Sequence, residues 1–234
     1  MRDSSTCYMC DWASVSREHV PPRCLFPEAA LAGRDVRQNL ITVPACAAHN
    51  SAKSKDDEFL RALLILMTGS QSEMARLQFQ HGLLRAVDHA PEAHRRFTKP
   101  TGLRKANKVL VESEGGRFDR CMRHIAHGLF FNAFNRKWRC RIAIASPFIT
   151  APVEHGDPFV LDSGLVAAVA ATRSELAACA DQGSNPEVFQ YRLRYEEPEN
   201  LFMFSLLFYG VVDVYGYSSD VIDREYETAP PGVD

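Results

Sequence analysis

The chain predicts an α+β fold, in which a small zinc-stapled N-terminal unit is followed by a mixed helical and antiparallel-sheet domain. Three observations carry this. Thiol and imidazole pairs recur at metal-knuckle spacing between Cys7 and His49. From Asp56 onward, apolar residues fall at helical spacing. From Phe189 to Tyr195 the pattern changes to the period of two expected of a half-buried strand, and Leu201–Tyr217, broken at Gly210, resembles two strands joined by a tight turn. The expected division is a metal-organised unit over 1–58, a helical and basic connecting region over 59–140, and an α+β region over 141–234.

At 234 residues, with 46% hydrophobic and 24% charged side chains, the chain is long enough to bury a sizeable core. No apolar run approaches the roughly 20 residues of a membrane helix. The longest, at 63–67 and 201–210, read as core segments. Met1-Arg2-Asp3-Ser4 has no apolar stretch behind its charge, so no secretory signal is expected and the location expected is cytoplasmic. Seven cysteines, an odd number, argue against a disulfide framework. Cys24, Cys121, Cys140 and Cys179 are expected as buried or incidental thiols, because free cysteine packs as a small hydrophobe.

Residues up to about Lys55 are rich in Cys, Pro, Asn and Gly and have little helical period. One or two helices are expected from Asp56 to Val87. Asp56, Asp57 and Glu58 suit the positive end of a helix dipole, Phe59, Leu60, Leu63, Leu64 and Met67 form an apolar face, and Thr68-Gly69-Ser70 marks a break. A polar, basic connector follows over 88–108, then a helix from about Arg117 to Asn135. A strand is expected over 141–149, a helix over 165–180 and a strand over 189–195. Two strands joined by a tight turn at Gly210 complete the pattern.

Charge is unevenly spread. Residues 85–141 hold fourteen Lys/Arg against five Asp/Glu, and residues 142–234 hold four against fifteen. A basic middle suits phosphate contact, and an acidic end repels it. Mutual attraction of the two regions is the alternative reading. Arg95, Arg96, Lys99, Arg104 and Lys105 belong to a basic stripe whose composition tracks a nucleic-acid backbone and carries no base code.

Cys7-Tyr8-Met9-Cys10 places two thiols on one turn, and Cys46-Ala47-Ala48-His49 repeats the two-residue gap. Together they make a Cys3His set suited to structural zinc, which lets a core-poor segment fold. The 35 residues between Cys10 and Cys46 exceed the loop of a compact finger. That insert holds Arg17-Glu18-His19-Val20-Pro21-Pro22 and Arg37-Gln38-Asn39-Leu40-Ile41, and Asn50-Ser51-Ala52-Lys53 follows the second pair. His124 and His127, with Asp119 nearby, lack complementary ligands in the sequence and read as packed or partly exposed histidines.

In this order the residues resemble the HNH endonuclease family over about residues 7–58, roughly a quarter of the chain. The resemblance implies a two-stranded hairpin packed on a helix (the ββα-metal fold). It implies Glu18 and Asn50 as ligands of a catalytic Mg2+ or Mn2+, His19 as general base, and Asn39 as the brace of the loop carrying His19. His49 stands where many relatives have a fourth zinc cysteine. Its spacing from Cys46 favours zinc, so Asn50 takes the catalytic place. Lys53, Lys55, Arg17 and Arg23 are then phosphate contacts, with solvated surface as the alternative reading. The activity implied is phosphodiester hydrolysis of nucleic acid, DNA rather than RNA, in a bacterial defence or mobile-element setting. A homodimer or a regulatory protein partner would fit that setting. The competing expectation is a non-catalytic zinc module that binds nucleic acid or protein.

Overall fold

The computed structural model describes residues 5–69, 71–89, 103–147, 163–197 and 199–222. The first two strands, β1 (Ser16–Val20) and β2 (Ile41–Ala45), pair antiparallel from Ser16↔Ala45 to Val20↔Ile41. Their connection carries a 3-10 turn at Arg23–Leu25 and the short helix α1 (Ala29–Ala32). Gly33 closes that helix at φ 69, a left-handed conformation that glycine adopts without steric cost.

A 3-10 turn at Ser51–Lys53 leads into α2 (Ser54–Thr68), and α3 (Glu73–His89) follows the break expected near Gly69. Gly69 and Ser72 donate backbone N–H groups to Ile65 and Thr68, closing α2 before α3 starts. The long helix α4 (Leu103–Phe134) begins well before the expected Arg117. Residues 103–111 lack a strong apolar period, but Leu, Arg, Lys and Ala there are good helix formers and extend the helix N-terminally. After it come β3 (Cys140–Ala145), α5 (Ser163–Leu176), β4 (Gln182–Asn185), β5 (Phe189–Glu196), β6 (Leu201–Phe208) and β7 (Val212–Ile222).

The five later strands form one antiparallel sheet in the order β3-β7-β6-β5-β4. Tyr209 and Gly210, at φ 54 and 70, make the tight turn between β6 and β7. Positive φ at both central residues matches the right-handed twist of the strands they join. Strand β4 was not expected, since Gln182-Gly183-Ser184-Asn185 has neither β-branched nor aromatic residues. It exists as an edge strand because β5 offers it a row of backbone partners.

One apolar cluster runs from Cys7 through Leu25, Leu60, Leu64, Met122 and Leu129 to Phe202, Phe204, Phe208 and Val214. It crosses all three expected segments. Phe130 of α4 sits 4.9 Å from Trp138, 5.1 Å from Tyr195 and 4.9 Å from Phe202 (ring centroids), joining helix to sheet. The hairpin connection is tied to the rest of the chain as well. The Tyr209 hydroxyl and the Gln78 amide both donate to the Leu25 carbonyl, at 2.6 Å each. Asn185 Nδ2 donates to the Gln38 carbonyl at 3.2 Å. Among the expected thiols, Cys121 and Cys140 are buried, while Cys24 and Cys179 are partly exposed.

Helix α4 lies against the hairpin through a small-residue contact. A Cβ built on Gly128 would lie 2.5 Å from Val20 Cγ2, and Val20 is itself buried and stiff at χ1. Gly128→Leu is expected to destabilise the fold by roughly 1–3 kcal/mol, read as a lower denaturation midpoint. Adding Val20→Ala should restore part of the loss; equal midpoints for wild type and Gly128→Leu would contradict this contact.

Candidate metal centre and the charged cleft beside it

The two knuckle pairs meet because the hairpin brings them together. Tyr8 donates its backbone N–H to the Pro44 carbonyl at 2.8 Å, and Cys7 to the Trp12 carbonyl at 2.9 Å, laying the first knuckle along β2. The second knuckle follows directly from the end of β2. His49 Nδ1 then lies 3.4 Å from Cys7 Sγ, 3.5 Å from Cys10 Sγ and 3.3 Å from Cys46 Sγ, and the Cys10 and Cys46 sulfurs are 3.8 Å apart. All four ligand atoms fall within 4.8 Å of one another, the only such group among the described residues. Zn–S near 2.3 Å and Zn–N near 2.05 Å give tetrahedral edges of about 3.8 and 3.5 Å, so the spacing fits zinc.

Cys7, Cys10, Cys46 and His49 thus form a potential zinc-binding site. Burial, reinforced by the Cys7 and Cys46 sulfurs, pushes the Cys10 thiol up to about 12, an opposition that a dication among the sulfurs reverses. Lys137, just beyond α4, donates to the Cys10 carbonyl at 2.7 Å and to Asp11 at 2.9 Å, tying the knuckle to the far end of that helix.

Next to this centre lies a small charged cleft of about 10 Å³, the room of a single water, so a larger group would lie across its mouth. Its walls include Tyr8, Glu18, His19, Lys53, Asp56, Asp57, Arg120 and His124. Glu18 and His19 arrive from β1, Lys53, Asp56 and Asp57 from the entry to α2, and Arg120 and His124 from α4. At its floor, Lys53 Nζ is 2.7 Å from Glu18 and 2.6 Å from Asp57. Burial raises both carboxyls above their ordinary values against the pull of Lys53, with Asp57 adding to the shift of Glu18, and Asp56 and Glu58 to that of Asp57. Burial also opposes the Lys53 charge, but the two carboxylates outweigh it and hold the ammonium above its usual range.

Burial lowers the His19 imidazole, with Arg23 and Arg17 adding to the shift, which favours the neutral, proton-accepting form. His124 is lowered well below the usual histidine value by burial, then by the Lys53 charge. Its Nδ1 lies 3.5 Å from the Tyr8 hydroxyl, and its ring meets His49 edge to face at 5.6 Å.

The sites expected from sequence are distributed as follows. Glu18 and His19 share the cleft. Asn50 does not line it; its amide donates to Ser16 Oγ at 2.8 Å and to the Arg17 carbonyl at 3.2 Å, bracing the start of β1. Asn39, at φ 55, lies beyond the other end of β1, in a separate cavity near Pro21. Lys53 is neither a solvated helix face nor an outward phosphate contact, because two acidic neighbours draw it inward. Lys55 and Arg23 are exposed, and Arg17 runs along β2 to Thr42 Oγ1 and O at 2.9 and 2.7 Å. Arg104 and Lys105 fall in the first turn of α4, where only the backbone is described, and Arg95, Arg96 and Lys99 lie outside the described residues.

Sequence reasoning missed Asp57, His124, Tyr8 and Arg120 as cleft residues. Asp57 had a signal, the i,i+4 spacing from Lys53, although its acidity had been assigned to the helix dipole. Asp56 instead pairs with Arg117 at 2.6 Å. The basic middle and acidic end meet at Arg136–Glu197, 2.6 Å.

Fold and site together define an α+β protein with a hairpin-borne potential Cys3His metal centre and a charged cleft at its side. No family model, curated protein or solved structure matches the chain.

Elemental analysis is expected to find about one zinc per chain, the complement of a closed four-ligand site. Cys46→Ala should lose that zinc and its resistance to unfolding; a variant holding as much zinc as wild type would refute the ligand set. Lys53→Met leaves buried Glu18 and half-buried Asp57 without their partner and should cost up to about 3 kcal/mol in denaturant unfolding. Asp57→Asn in the same chain should recover part of it.

Proposed function

We propose that the chain is a metal-dependent endonuclease of the HNH kind, hydrolysing phosphodiester bonds of nucleic acid, with DNA favoured. The observation that carries this reading is that Glu18 and a His19 held toward its neutral form both border one charged cleft, beside the helix that follows a Cys3His cluster. A zinc module used only for binding gives no reason for that pair to share a cleft with two half-buried aspartates and an arginine.

In this reading zinc is structural. Closure of its four ligands, three of them buried, leaves no open coordination position for substrate. For a catalytic Mg2+ or Mn2+, Glu18 and the nearby Asp57 would be the hard carboxylate donors, and the cation would have to take the place of the Lys53 ammonium that now bridges them. When bound, such a cation supplies positive charge for the phosphate and the departing 3′ oxygen. Asn50 would join it only by turning from Ser16 and Arg17, so its role as ligand rests on the family resemblance.

The chain's own residues do the rest. Neutral His19 accepts the proton of the attacking water. Arg120, in the cleft wall, and exposed Lys55 and Arg23 attract the phosphodiester. Lys53 keeps Glu18 ionised and fixed in place. A role in bacterial defence or a mobile element, a homodimer and a regulatory partner remain parts of this proposal by analogy.

Wild-type protein with Mg2+ or Mn2+ is expected to cut at least one of plasmid DNA, single-stranded DNA and RNA. His19→Ala should lower the rate by about 10²–10⁴-fold while retaining zinc and the same unfolding midpoint. Cleavage by His19→Ala at the wild-type rate would eliminate this mechanism. Wild-type protein that binds but never nicks any of the three substrates would favour the non-catalytic zinc module.

A further inference from the structure

A second cavity lies on the other side of Val20 from the charged cleft, bounded by the end of the hairpin, α4 and the β4 edge of the sheet. Both openings are arranged along α4: His124 lines the first, Asn132 the second, and Gly128 between them takes the Val20 side chain. Eight residues of helix separate His124 from Asn132, about 12 Å along the axis.

The two linings differ in chemistry. Acids, an arginine, a lysine and histidines line the first. The second has no charged side chain; the polar residues along it are Asn39, Asn132, Ser184, Asn185 and Tyr191. Its aromatic residues are Phe26, Phe189 and Tyr191, and the rings of the last two stack 5.7 Å apart at 23°. Asn185 is fixed by its bond to the Gln38 carbonyl. Gly183, at φ 125, leaves no room for a side chain, since a Cβ there would meet the Phe189 carbonyl at 2.5 Å.

A neutral site of carboxamides, a hydroxyl and aromatic rings suits a neutral, planar ligand with hydrogen-bonding edges, and it disfavours a phosphate or carboxylate. The cavity measures about 120 Å³. That is somewhat less than the closed cavity of about 150 Å³ that admits a benzene ring. This site is open on one side, however, so a single six-membered ring can enter with its outer edge in solvent and a fused second ring would protrude.

We propose that this cavity holds one unpaired, pyrimidine-sized nucleobase of the strand whose phosphodiester occupies the charged cleft. The substrate is then single-stranded or locally melted, because a base inside a duplex keeps its hydrogen-bonding edge occupied. Identification of the strand rests on the nuclease reading; the cavity's preference for a neutral planar ring does not.

The test measures binding with full-length, zinc-loaded His19→Ala protein and fluorescein-labelled oligo-dT, oligo-rU, oligo-dA and duplex DNA. At least one of oligo-dT and oligo-rU should bind about tenfold more tightly than oligo-dA and duplex. Which of the two binds better distinguishes DNA from RNA. Ser184→Phe, which fills the cavity from an exposed edge strand, should remove the difference. Asn132→Leu on α4 serves as the second variant, and thermal unfolding identifies which of them is folded. Equal affinity for pyrimidine strand and duplex, or a preference unchanged in a folded cavity variant, overturns the inference. Duplex cleavage by wild type without pyrimidine preference would sink the cavity and leave the nuclease reading standing. Ser184-dependent pyrimidine binding by a protein that cuts nothing would do the reverse.

Discussion

The convergence of three sulfurs and one imidazole nitrogen at the base of the β1–β2 hairpin is the constraint on which the rest of the N-terminal region depends. The segment before β1 and the segment after β2 meet there, although 35 residues separate Cys10 from Cys46. A hairpin of two five-residue strands is marginal alone. Four ligand atoms spaced for one cation close its open end and set where α2 begins. Half of the cleft follows from that placement: Glu18 and His19 lie on the strand after the first knuckle, Lys53 ends the 3-10 turn after the second, and Asp57 lies in the first turn of α2.

Inside the cleft, electrostatics and burial oppose each other. Glu18, Lys53 and Asp57 are removed from most of their water, which costs each of them solvation. Distances of 2.7 and 2.6 Å to the ammonium offset part of that cost, and the net charge of the trio remains negative. A largely desolvated trio of two carboxyls and one ammonium, both carboxyls raised by burial, is a weak device for stability. It suits a place where positive charge arrives with a ligand, and this links the electrostatics to the hydrolytic reading.

The N-terminal unit does not fold as a separate bead. Its core residues are continuous with those of α4 and the five-stranded sheet. The β1–β2 connection is held by polar contacts from α3 and the sheet to Leu25 and Gln38, and by Arg34, which pairs with Glu187. Helix α4 is the common element. Lys137 beyond its end reaches the first knuckle, its glycine accepts Val20, and its two flanking turns wall a charged cleft and a neutral cavity. Under the proposals above, different chemistry on one helix face would let a single strand meet a charged and a neutral surface in succession.

What the sequence by itself determined was whatever local spacing encodes. The paired two-residue gaps identified the four potential zinc ligands. Period-two patterning and a glycine located β5, β6, β7 and their turn, and a Thr-Gly-Ser break separated α2 from α3. Tertiary structure alone decided the rest. Lys53 reads as a surface lysine until Glu18 and Asp57 arrive from different elements to bury it. His124 acquires a role only when α4 crosses the hairpin. Asn39 and Asn50 flank the cleft instead of lining it, and β4 is a strand only because β5 is beside it. Spacing along a chain constrains neighbours within a turn or a pleat; burial, charge pairing and cavities depend on which distant segments meet, and that is settled by packing.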